Sequence, residues 1–134
     1  MTARARGTFE VTLNSLAAHH AADGGPLGRM SIDKRFRGDL EGASVGEMLS
    51  AGTAVKGSAG YVAIERVAGR LRGREGTFVL QHSGTMARGV PQLSITVVPD
   101  SGTEGLAGIA GRMTIESAEG KHSYDCEYSI AEAP

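Results

Sequence analysis

Alternation of apolar and polar residues, interrupted at short intervals by turn formers, recurs along this chain and limits its fold more than any other feature. In TFEVTL, Phe9, Val11 and Leu13 share one face while Thr8, Glu10 and Thr12 share the other, the period-2 pattern of a half-buried strand. From Gly28 to Glu41 the pattern returns, with Met30, Ile32, Phe36 and Leu40 opposed to Arg29, Ser31, Asp33, Arg35, Arg37, Asp39 and Glu41. VGEMLSAGTA, SAGYVAIERV, AGRLRG, TFVLQHSGTM, PQLSITVV, GRMTIE and KHSYDCEYSI continue it, separated by breaks at GAS, VKG, GREG, ARGV, PDSGTEG and SAEG. Residues 14–28 have no strong period and read as a variable loop.

About eight or nine strands with no amphipathic helix between them cannot make parallel crossovers, so the expected sheet is antiparallel and paired between sequence neighbours. Closing it removes exposed edges, which predicts an all-β closed antiparallel barrel of about eight strands. A length of 134 residues without a composition break fits one domain over 1–134. Twenty glycines, three tyrosines, three phenylalanines and no tryptophan suit a frequently turning, mainly aliphatic meander.

Fourteen basic against fifteen acidic residues leave a net charge of -1, which gives no general attraction to nucleic acid or anionic lipid. The lone Cys126 rules out an internal disulfide and a multi-cysteine metal site. No apolar run approaches the roughly 18 residues of a membrane-spanning helix, and MTARARG leads into a strand without a secretory apolar region. The expectation is a cytoplasmic protein that binds neither nucleic acid nor membrane. His19 and His20 have no further ligand at metal spacing, and SGTEGLAGIAG lacks the lysine of a phosphate loop, so no metal or other cofactor is expected. GASVG matches the nucleophile-elbow string in a chain too short for a hydrolase sheet, and Ser44 reads as a turn residue.

Several residues break the apolar faces on which they stand. His82 shares a face with Phe78, Leu80 and Met86, where an imidazole is either a core histidine with one hydrogen bond or a general acid or base. Lys34 falls between Ile32 and Phe36, and either snorkels to a rim or pairs inside with Glu65, itself a candidate acid or base. On the last strand Tyr124, Cys126 and Tyr128 point one way with His122 and Ile130, an amphipathic lining for a ligand or an ordinary core. Met48, Tyr61 and Met86 complete the candidate lining around a small, mostly apolar molecule. GYVAIERV is apolar on both faces, which calls for cover outside the barrel and suggests self-association, a β-bulge or a covering loop.

PQLSITVVPDSGTEGLAGIAGRMTI, with GRMSIDKRFRGDLEG, GEMLSAGTAVKGSAGYVAIERV and FVLQHSGTM, resembles a small bacterial family of unknown function grouped with the allene-oxide-cyclase-like barrels. Ser101, Gly102, Thr103, Leu106, Gly108 and Gly111 stand as in the glycine-threonine-glycine turn and plug of those barrels, so Leu106 and Ile109 are expected to cap one end. The resemblance implies a greasy cavity with a few polar groups that guides or catalyses cyclisation or coupling of apolar small molecules without metal or nucleotide. Where that family commonly has histidine before Gly-Asp-Leu, this chain has Arg37, so no proton-transfer role carries over to that position. The reading from sequence is a cofactor-independent isomerase or cyclase, or else a carrier of a hydrophobic metabolite.

Overall fold

The computed structural model describes residues 2–17 and 27–131. Within them eight strands run β1 (Ala3–Leu16), β2 (Leu27–Gly38), β3 (Leu40–Gly52), β4 (Ala59–Leu71), β5 (Arg74–Ala87), β6 (Val90–Val97), β7 (Ile109–Ala118) and β8 (Lys121–Ile130). Each pairs antiparallel with its neighbours in sequence, and β8 returns to β1 to close the barrel. The expected architecture is present. Three connections are two-residue turns, Arg72–Gly73, Arg88–Gly89 and Glu119–Gly120, with both residues at positive φ, the backbone that matches strand twist in tight hairpins.

Some boundaries differ from the alternation read along the chain. Where the sequence suggested loop, residues 14–16 extend β1 by pairing with Arg29–Ser31 of β2, and residues 27 and 28 open β2 by pairing with Ala51 and Ser50 of β3. Residues 18–26, with His19 and His20, lie outside the described residues. The long run from Gly28 to Glu41 is two strands: Gly38, at φ +106°, turns the chain, and β3 then passes through GAS without a break. SAGYVAIERV and AGRLRG are likewise one strand, β4.

The two barrel ends are built differently. At one end Leu40, Leu71, Leu106 and Ile109 are buried, and a single 3₁₀ turn at Glu104–Leu106 drops the Leu106 side chain into the opening. The segment before the turn is stitched to β5: Thr103 N–H donates to Thr77 O at 2.9 Å, Thr77 N–H to Thr103 Oγ1 at 3.0 Å, and Val79 N–H to Ser101 Oγ at 3.0 Å. Ser101 and Thr103 thus serve strand donors that β6, ending at Val97, cannot reach. Above this plug, Phe9, Phe36, Phe78, Leu80, Ile95 and Met113 belong to one continuous core. Among the described residues the opposite end has no plug: burial fades toward it along every strand, and the inward-facing Leu13, Met86 and Leu93 are 44%, 43% and 44% exposed.

The wall is also weakest near that open end. β6 and β7 pair only at Ile95–Met113 and Thr96–Arg112, so Val90–Ser94 and Thr114–Ala118 lack each other as ladder partners.

Candidate functional site

Where the apolar core gives way to the open mouth, four polar side chains from four strands converge. The period-2 parity of β2, β3, β4 and β5 turns Lys34, Ser44, Glu65 and His82 inward, and all four are buried. Lys34 Nζ donates to Glu65 Oε2 at 2.8 Å, and Ser44 Oγ donates to Glu65 Oε1 at 2.7 Å. His82 Nε2 bonds the same Oε2 that Lys34 reaches. The ammonium also lies 5.0 Å above the Phe9 ring and 5.8 Å above Phe36, so the cluster rests directly on the aromatic core.

Glu65, fully excluded from solvent, organises the group. Burial alone pushes its carboxyl up, but the His82 hydrogen bond, the Lys34 charge and the Ser44 hydroxyl together outweigh it and hold it at about 2, against an ordinary 4.5. It is therefore a carboxylate that only accepts, so the proton in its bond with His82 sits on Nε2. In the neutral ring the lone pair is then on Nδ1, which has no hydrogen-bond partner among the described residues. The Tyr61 ring stands 6.4 Å from the imidazole, on the mouth side, and lies over Gly84, where a Cβ would meet the tyrosine ring at 2.4 Å. Burial and the Glu65 charge both raise the Tyr61 hydroxyl's pKa, keeping it a donor.

The structure brings together Lys34, Glu65 and His82. Lys34 pairs inside and does not snorkel, because its parity carries it over Phe9 and Phe36 with a carboxylate within reach. Met48 and Tyr61 are half-buried toward the mouth and Met86 lies at its rim.

Tyr124, Cys126 and Tyr128 belong instead to the closed core. The Tyr124 hydroxyl donates to Arg37 O at 2.9 Å and accepts from Leu40 N–H at 2.9 Å, so it ties down the turn at Gly38. Burial, with help from the Asp125 charge, pushes the Cys126 thiol up to about 11, the opposite of an activated nucleophile. Ser44 is the residue that sequence reasoning misplaced: it lies in mid-strand and bonds Glu65. Its signal was parity with Leu40 and Met48, hidden by the flanking glycines.

Eight antiparallel strands in next-neighbour order, one plugged end and a buried Lys-Glu-His-Ser cluster beneath the other define a small meander barrel with a polar interior centre. The chain belongs to the DUF3224 family, described as protein of unknown function, whose model matches residues 5–128. A crystal structure of a DUF3224 protein of unknown function from Shewanella oneidensis MR-1 is 49% identical over 99% of this chain and 100% of that one, with a TM-score of 0.94. No curated protein matches the chain. No helix among the described residues is long and apolar enough to cross a membrane.

Proposed function

We propose that the protein binds one small, mostly apolar molecule in the open mouth of its barrel and moves a proton on it through His82, as a cofactor-independent isomerase or cyclase of the cytoplasm. The observation that carries this reading is a buried, charged cluster placed under the end that no described residue plugs, with no described partner for His82 Nδ1. An interior ion pair is weak evidence for stability, since apolar residues of similar volume hold a core as well. Its position under the opening is what a proton-transfer site requires.

Each group then has a distinct task. His82 Nδ1 takes a proton from a substrate carbon, the bonding pair moves into the adjoining π-system, and the same proton returns at another carbon. Glu65 holds the ring in that tautomer and stabilises the imidazolium. Lys34 and Ser44 keep Glu65 ionised and oriented, and act as positioning residues. Tyr61 supplies a hydroxyl to a developing negative charge, while Met48, Met86 and Leu93 give an apolar wall. General acid–base help of this kind contributes roughly 10²- to 10⁴-fold.

The rival reading is a carrier that uses the same mouth and the same His82 contact without transfer. Native mass spectrometry, followed by denaturing extraction of any released molecule, supplies the ligand on which both are tested. With it, His82→Gln keeps affinity within a few-fold and loses turnover about a hundredfold if His82 moves a proton. Parallel loss of affinity identifies the carrier, and a folded variant unchanged in both removes His82 from the function.

A further inference from the structure

Four exposed aliphatic side chains gather on the outer face of β3 and β4, around the single carboxylate Glu47. Val45, Leu49, Val62 and Ile64 are each at least half exposed on these two adjacent strands, with Leu49 directly opposite Val62. The inward positions of β4 are already taken by Tyr61, Ala63, Glu65 and Val67, so the core does not account for Val62 and Ile64. A groove of about 550 Å³ runs along Leu49, Val62 and Ile64, where Arg29, Glu47 and Gln81 add polar groups and Ala63 and His82 also line it. By contrast, outward positions on β1 are Thr8, Glu10 and Thr12, and on β8 Ser123, Asp125 and Glu127. A contiguous apolar patch with a polar rim marks an interaction surface.

The charges beside the patch say what covers it. Asp33 on β2 stands directly opposite Val45, and Val45 stands directly opposite Arg66 on β4, so the acid and the base flank the apolar stripe at one level, roughly 10 Å apart by strand spacing. Arg29, Arg37 and Arg70 are each held by a carboxylate, but no described residue forms an ion pair with Asp33 or Arg66. A two-fold axis lying in the interface along β3 sets Val45 of one copy over Val45 of the other. The same operation brings Asp33 of each copy against Arg66 of its mate and Leu49 over Leu49, lays Val62 on the mate's Arg29, and sets Glu47 beside Glu47, each of these carboxylates already held by Arg29 of its own copy. A net charge of -1 opposes the approach of two copies very little.

We propose that the chain forms an isologous dimer through the outer face of β3 and β4, an aliphatic stripe closed on both sides by reciprocal Asp33–Arg66 pairs. A sheet face meeting its own copy packs with strands about 30° from alignment, which suits a two-stranded stripe. The contact also covers the groove behind His82 and so dries the wall that backs the interior cluster.

Sedimentation of the full chain across a concentration series tests this, with circular dichroism to confirm folding of each variant. The expected species has twice the 13.9 kDa chain mass, and Val62→Lys, at an exposed position, returns it to the monomer. Asp33→Arg alone, or Arg66→Asp alone, weakens association about tenfold or more, because each sets two like-charge contacts in one dimer. The double reversal restores the dimer to within a few-fold, which only reciprocal pairing explains. A monomer at all concentrations, a dimer indifferent to Val62→Lys, or a double reversal that fails to rescue overturns the proposal.

Discussion

The two ends of the barrel share one sheet yet obey different rules. At the plugged end the side chains are mostly apolar, buried and locked by the Leu106 turn, and Tyr124, one of two phenols in that core, spends its hydroxyl on the backbone at Arg37 and Leu40. At the open end the inward positions carry charge, then half-buried Met48 and Tyr61, then an exposed rim. The plugged end carries most of the aliphatic and aromatic burial, the dominant favourable term in folding. The open end holds the groups that cost most to desolvate and contributes little packing in return. That division puts most of the packing energy at one end and, in the proposed function, the chemistry at the other.

The largest expected effect tests the first half of this division. Phe78→Ala removes a ring that is 1% exposed and leaves a cavity among close-packed neighbours, at a cost of about 3–5 kcal/mol. Met86→Ala, at a rim position 43% exposed, costs about 0.5 kcal/mol or less. Urea unfolding midpoints of the two variants measure the contrast. Similar losses at both positions would mean that the mouth is as much core as the plugged end.

How far these roles were legible in the sequence follows from what alternation encodes. Parity gives the face of a strand, so His82 and Lys34 were visible on inward faces, whereas GYVAIERV, apolar on both sides, left either Glu65 or Arg66 to turn in or meet an interface, with Lys34 and Glu65 as a possible pair. The Leu106 cap was legible from its glycine-framed turn, by resemblance. Parity does not give depth, because the level at which an inward residue sits depends on register and barrel shear. Tyr124, Cys126 and Tyr128 therefore looked equivalent to His82, although they lie in the closed core. Ser44 was lost for a different reason. Glycines at 42 and 46 imitate a turn, whereas here they are inward positions within β3, which continues through them.

A second, somewhat smaller effect belongs to the open end and appears with pH. The Glu65 carboxyl is held at about 2 in the folded chain against an ordinary 4.5, so between those values the unfolded state binds more protons than the native one. Stability from the cluster is complete above about pH 4.5 and is lost as pH falls toward 2, a contribution on the order of 3 kcal/mol. Glu65→Gln has no carboxyl to protonate, so its unfolding free energy falls less steeply over the same window. Urea titrations at pH 6, 4 and 3 on both proteins make the comparison. Parallel acid limbs would show that Glu65 is not the group held ionised by Lys34 and His82.

The smallest expected change in stability gives the sharpest map of the two ends, because four methionines sample the barrel from rim to core. Met86 is 43% exposed at the mouth, Met30 and Met48 are half-buried below it, and Met113 is 3% exposed in the closed core. Sulfoxide formation needs peroxide to reach the thioether, so oxidation should proceed in that order. Brief peroxide treatment, read by peptide mass spectrometry, is expected to modify Met86 first and to spare Met113 while the protein stays folded. Oxidised Met86 remains at a solvated rim, where an added oxygen costs little, so the unfolding midpoint should barely move. Early oxidation of Met113 would place an opening in the wall beside it, at the short β6–β7 ladder where Ile95 meets Met113. The reagent would then reach the core from the side, and the closed end would no longer be the end that excludes solvent.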